Sequence, residues 1–208
     1  DEAHEIEDVA SEYFGRQISN YRFEELVRDA EQVLRLTGAS GKRKGGGTPL
    51  LRSMSRLREK ARSLFEAFPP REGRFAFEPA ARASFLEQNR EACGGLTAAM
   101  KTLEAAIAAM PSKPEELVNI ARRSFELRGE LEFLFESNEK NYVYWYERRN
   151  KGVFVAATPI DVSAVLRERL ELARRRAGLA AGEERVRHLL AAAEIEASLG
   201  DTEAAVAS

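Results

Sequence analysis

The sequence predicts a mainly α protein that carries one β-hairpin. Apolar residues recur at the 3.6-residue helical period from about residue 5 to residue 137. Near Asn141 the period falls to about two, within a run of aromatic residues. The composition fits: 44% hydrophobic and 32% charged residues is the balance of a soluble globular chain, neither disordered nor membrane-like. A chain of 208 residues can bury one ordinary core, or a helical insertion beside part of a second domain.

The elements follow in order. Residues 5 to 14 place Ile6, Val9, Ala10 and Tyr13 at helical spacing, with Gly15 as a natural stop. From Asn20, the residues Phe23, Leu26, Val27, Ala30, Val33 and Leu34 form one apolar face that ends at Thr37-Gly38. Gly38 to Thr48 holds five glycines and three adjacent cations, Lys42, Arg43 and Lys44, and reads as a loop. Leu50 to Phe68 is amphipathic until Pro69-Pro70 removes the donors a helix needs. Arg71 to Phe77 is expected as a second loop. Pro79 to Met110 is helical, with a weak point or break expected at Gly94-Gly95. Ser112 to Glu115 fits a capping box ahead of a helix running through Leu117, Ile120, Leu127, Leu131 and Leu134. Tyr142 to Tyr146 and Val153 to Val155 form the hairpin, joined by a charged turn from Glu147 to Gly152. A further helix starts at Asp161 or Ser163. The tail from Glu171 has 11 alanines in 38 residues, which favours helix, and Leu199-Gly200-Asp201 reads as a division between two helical halves. Phe65, Phe68, Phe125, Phe133 and Phe135 are expected to hold the helices together.

Charge and cysteine content narrow the chemistry. The net charge is only -2, so nucleic-acid contact requires a local basic patch. Cys93 is the one cysteine, which excludes an internal disulfide or a cysteine-built metal site within these residues and fits a reducing compartment. No run of about 18 apolar residues predicts a spanning helix, and no secretory signal opens the chain, so the cytoplasm is expected. Opening on Asp1 and not Met suggests a piece of a longer reading frame.

Asp1-Glu2-Ala3-His4 is a DEAH tetrad. Adjacent carboxylates at the end of a motor strand suit nucleotide hydrolysis, because one can hold magnesium while the next orients the attacking water. Acidic residues at a helix start are also favourable simply through the macrodipole. The far end adds to the tetrad. Asn141 to Leu170, NYVYWYERRNKGVFVAATPIDVSAVLRERL, resembles the segment by which DinG- and XPD-like superfamily 2 helicases leave the Arch domain and re-enter the first motor domain. Asp1 to Gly15 resembles the same family's box and following helix, and about 125 mostly helical residues lie between the two ends.

That resemblance implies a helical Arch-like insertion flanked by partial RecA-like α/β motor segments. Residues 1–16 would be the box and its helix, 17–140 the Arch-like domain, 141–170 the return to motor domain 1, and 171–208 an alanine-rich tail. It implies ATP and Mg2+ as cofactors of the parent protein, ATP-driven unwinding with 5′-to-3′ polarity, and single-stranded or forked DNA as the partner of a monomer. Asp1 and Glu2 would serve the metal, Glu2 would orient the water, and His4 would couple hydrolysis to DNA. An iron-sulfur cluster would have its cysteines upstream of the box; Cys93 matches none of them.

Two features depart from the family. No phosphate-binding loop is present, since Gly41-Lys42 is followed by Arg43 and position 36 is Leu36. After Leu170 the expected apolar strand is replaced by ELARRRAGLAAGEERVRHLL. Lys42, Arg43 and Lys44 are candidates for DNA phosphates, as are Arg148, Arg149 and Lys151, although such runs are commonly just solvated. Trp145 and Tyr142, Tyr144 and Tyr146 are expected in the core or in cross-strand pairs before base stacking. His188 is expected to be solvated. The rival reading is a non-enzymatic helical interaction module whose tail, faintly like half a tetratricopeptide repeat, is the working surface. The helicase reading places residues 1–15 and 141–170 side by side; the rival has no such requirement.

Overall fold

A computed structural model describes residues 15–36, 49–110, 113–160, 162–179 and 182–206. The fold is mainly helical with a small four-stranded antiparallel sheet, as the periodicity predicts. The elements are β1 (Arg16–Ser19), α1 (Asn20–Leu36), α2 (Pro49–Glu66), β2 (Gly73–Ala76), α3 (Pro79–Gln88), α4 (Arg90–Ala108), α5 (Glu115–Glu136), β3 (Tyr142–Arg149), β4 (Gly152–Pro159), α6 (Val162–Leu179) and α7 (Gly182–Val206). The chain divides into two compact units. One is Arg16–Ala157; the other contains α6 and α7, which pack along each other.

In the first unit, α2 packs against α1 and α4, while α5 packs against α4 and α1, so four helices close a ring. Each contributes the stripe its sequence predicts. Phe23, Leu26, Val27 and Ala30 of α1 meet Met54, Leu57, Ala61 and Leu64 of α2, with Leu96, Met100 and Leu103 of α4 and Leu117, Leu127 and Leu134 of α5 in the same core. Removing these side chains from water is the main driving force for the ring.

The sheet has the order β1-β4-β3-β2, with Ile18 opposite Val155 and Phe75 opposite Tyr146. Ile18, Val153, Val155, Ala157 and Tyr144 join the helical core. Alternation then sends Trp145, Glu147, Arg149 and Arg74 to the opposite face. Phe68 lies where helices and sheet meet. Its ring stands 4.4 Å from Phe85, 5.3 Å from Tyr146 and 6.0 Å from Phe77, with Phe65 and Phe135 completing the shell. Arg82, only 3% exposed, donates to the Leu134 carbonyl and to Asn138 Oδ1 and lies 3.5 Å over the Tyr144 ring, so a buried guanidinium closes the end of α5.

Several expectations are corrected. Residues 16–19 and 73–76 are strands, not parts of a helical stretch or a loop, so the hairpin sits within a four-stranded sheet. The break in the long helical pattern falls at Asn89, whose side-chain amide bonds to the Phe85 carbonyl; Gly94 and Gly95 are helical. The hairpin strands are longer than expected, leaving Asn150 and Lys151 as the turn, with Asn150 at φ 52°, a conformation asparagine tolerates well. Phe125 is 61% exposed and lies under the Arg128 guanidinium, outside the core. Helix α7 runs through Leu199-Gly200-Asp201 without a division. Pro114 stands at the N-cap of α5 without a side-chain cap, and Ser112 lies outside the described residues. The predicted first helix and the glycine loop also lie outside them.

Truncating Phe68→Ala should lower stability by about 3–5 kcal/mol, since it removes a buried ring and leaves a cavity between two layers; urea unfolding followed by circular dichroism measures it. Gly152 makes a different demand. A Cβ there would lie 2.6 Å from a Tyr21 ring carbon and 2.8 Å from one of Phe154. Gly152→Val should therefore cost about 1–3 kcal/mol by overpacking, and Tyr21→Ala in the same chain should recover part of it.

Candidate nucleic-acid interface

Asp1, Glu2 and His4, and the loop cations Lys42, Arg43 and Lys44, lie outside the described residues. The other sequence candidates sit in well-defined surroundings. Arg148 donates 2.9 Å bonds from Nε to the Pro69 carbonyl and from Nη2 to the Phe68 carbonyl, so it satisfies backbone acceptors just past the end of α2. Arg149 and Arg74 both bond to Glu147, at 2.6 Å and 3.4 Å. The Arg149 bond is the main reason the Glu147 carboxyl is held below its ordinary value. Arg74 also lies 4.1 Å over the Trp145 ring. These hairpin cations are thus engaged within the fold. Lys151 is exposed, and its carbonyl accepts from the Asn20 amide.

The aromatics divide by face. Tyr144 is buried, and Tyr142 and Tyr146 are half-buried on the helix side, where they touch Phe133 and Phe68. Trp145 is half-buried on the outer face. His188 is half-buried on α7. Cys93 lies in a cleft of about 710 Å3 between α3, α4 and α5, floored by Leu86, Leu131 and Phe135. Burial, with a smaller contribution from Glu136, pushes the thiol up to about 11. Such a thiol stays protonated at neutral pH and is a poor nucleophile. Among the described residues no group of three or more His, Cys, Asp or Glu is placed to hold a metal ion. Nor, among them, is any helix long and apolar enough to cross a membrane.

Elsewhere in the helical ring several arginines are tied to carboxylates. Arg58 bridges Glu24 and Glu31 on α1, Arg123 pairs with Asp29, Arg22 with Glu130, and Arg128 with Glu104. Arg52, Arg56 and Lys60 on α2 have no ion-pair or hydrogen-bond partner among the described residues, a property they share with Arg28, Arg35, Arg62 and Arg90; what sets the three apart is their common side of one helix. With Leu51, Ser55 and Glu59 they line a depression of about 590 Å3. Motif reading passes over this row because no short pattern marks it. A windowed charge count finds it: residues 35–62 hold nine Lys or Arg and one acidic residue, inside a chain of net charge -2.

No family model and no curated protein matches this sequence.

The Cys93 environment gives a pH signature. Its folded value lies above the ordinary 9.0, so between about 9 and about 11 the folded state holds a proton that the unfolded chain has released. Stability is therefore expected to fall as pH rises through that window, and Cys93→Ser should flatten the slope in urea titrations. Alkylation of the native protein by iodoacetamide should be slow at pH 8 and accelerate toward about 11.

Proposed function

We propose that these residues form part of an ATP-dependent DNA helicase of the DinG and XPD kind, in which the helices after the DEAH tetrad are an Arch-like insertion. The observation that carries this reading is the pairing of β1 with β4. Arg16–Ser19, which follows the tetrad segment directly in sequence, is hydrogen-bonded to the strand that resembles the family's return to the motor, with Ser19 opposite Phe154. An insertion must leave and re-enter its host at neighbouring points, and adjacent antiparallel strands supply that closure. The helical ring between the two strands supports the same reading by its position in the chain.

In the parent enzyme, the tetrad's chemistry would come from Asp1 and Glu2 acting on magnesium and on the attacking water, with His4 passing the nucleotide state toward DNA. ATP, Mg2+ and single-stranded or forked DNA are the ligands of this proposal, and a phosphate-cradling loop must come from elsewhere in the parent. A non-enzymatic helical interaction module is the competing reading. It draws support from α6 and α7, where Leu179, Val186, Leu189 and Leu190 are exposed.

The purified 208-residue protein is expected to show no ATP turnover. Robust turnover abolished by Glu2→Gln would overturn the account of the missing phosphate loop. In the product of the complete reading frame, Glu2→Gln should remove ATP hydrolysis and strand separation while leaving single-stranded DNA binding within about threefold. Unwinding unaffected by that substitution, or a reading frame without any phosphate-binding loop, would sink the helicase assignment.

A further inference from the structure

The row on α2 has a geometry of its own. Arg52, Arg56 and Lys60 are spaced i, i+4 and i+8, so they share one side of the helix and rise about 6 Å per step. That step is close to the separation of successive phosphates along a nucleic-acid strand. Arg52 and Arg56 are exposed, while Lys60 is half-buried. The Lys60 side chain reaches across to α4, where a Cβ on Gly95 would lie 3.2 Å from its Cδ. The bare backbone at Gly95 therefore gives the lysine stem a bed, so one end of the row rests against α4 while Arg52 and Arg56 stand exposed on α2.

From these observations we infer that the α2 row binds the sugar-phosphate backbone of single-stranded nucleic acid, with about one phosphate per helical turn. Three features select this partner. The cations repeat at a fixed step, which suits a polymer of evenly spaced charges better than the irregular carboxylates of an acidic protein surface. The residues lining the depression include one large apolar side chain, half-buried Leu51, and so offer little to a lipid surface. No aromatic ring lines the depression, so the row tracks the backbone and leaves the bases unread. Glu59, in the same depression, opposes binding and sets the sign of a control. The helicase reading already takes single-stranded DNA as its partner; the inference deepens it by naming residues that would hold the strand, and it is argued from their charge and spacing.

The test uses the full 208-residue chain and a fluorescein-labelled oligothymidine of about 20 nucleotides, followed by anisotropy across a salt series. The triple variant Arg52→Gln, Arg56→Gln, Lys60→Gln should bind at least tenfold more weakly. Its slope of log affinity against log salt should be shallower by about 2, at roughly 0.7 per phosphate contact on a single strand. Glu59→Gln should bind about two- to fivefold more tightly. Arg122→Gln, which removes an exposed arginine paired with Glu126 on α5, should match the unsubstituted chain. Circular dichroism of the triple variant should be unchanged, because none of the three makes an ion pair or hydrogen bond among the described residues and glutamine keeps part of the Lys60 stem that lies on Gly95. Unchanged binding by a folded triple variant would overturn the proposal. So would equal weakening by Arg122→Gln, which would indicate net charge alone, or polyglutamate competing as well as oligothymidine. Tighter binding of a duplex of equal length would overturn the single-strand assignment. Loss of ATP-driven unwinding in the parent with the α2 effect intact would instead strike the helicase reading and leave this row standing.

Discussion

The junction at Phe68 is the constraint on which the first unit depends. A four-helix ring and a four-stranded sheet each bury one apolar surface, and at one corner the two meet around the Phe68 ring, packed against Phe65, Phe77, Phe85, Phe135 and Tyr146. Aromatic rings suit that position because each buries a large area and tolerates tilted and edge-on neighbours. The chain must also turn there. Pro69-Pro70 ends the helical run, and the carbonyls of Phe68 and Pro69 receive their hydrogen bonds from Arg148 on β3. The same corner therefore joins an apolar contact with a polar one, and each positions the other.

Charge is distributed by the same logic of partners. Across α1, α2, α4 and α5, guanidinium groups reach between helices to carboxylates: Arg58 to Glu31 and Glu24, Arg123 to Asp29, Arg128 to Glu104. Half-exposed pairs of this kind contribute little stability individually, and their value lies in fixing which helix faces which. Other cations have no such partner among the described residues. Arg52, Arg56 and Lys60 form such a set on one side of α2, in the most basic stretch of an otherwise acidic chain. The hairpin cations carry a similar local charge by sequence, yet Glu147 and two backbone carbonyls absorb it.

The candidate site was legible in the sequence only in outline. A need for a local basic patch follows from the near-neutral total charge, and Lys42, Arg43 and Lys44 mark its sequence neighbourhood. The α2 row was harder to see, because its cations are separated by apolar and serine residues and come together only on a helix surface. Arg148 and Arg149 read as equally available until the sheet register sets Arg149 beside Glu147 and the turn after α2 beneath Arg148.

The amino-acid sequence by itself determined the helices, from apolar stripes at the helical period, and the hairpin, from the change of period at Asn141. These are local signals, written within a few residues of where they act. Only the tertiary structure decided that RQIS and GRFA are strands, for four residues carry too little pattern, and their hydrogen-bonding partners, Phe154 to Ala157 and Trp145 to Arg148, lie far along the chain. It decided likewise that Phe125 faces solvent while Phe135 is buried, and that some cations are engaged while others stand open. Partnership across the fold is a property of distance in space, and distance along the chain does not encode it.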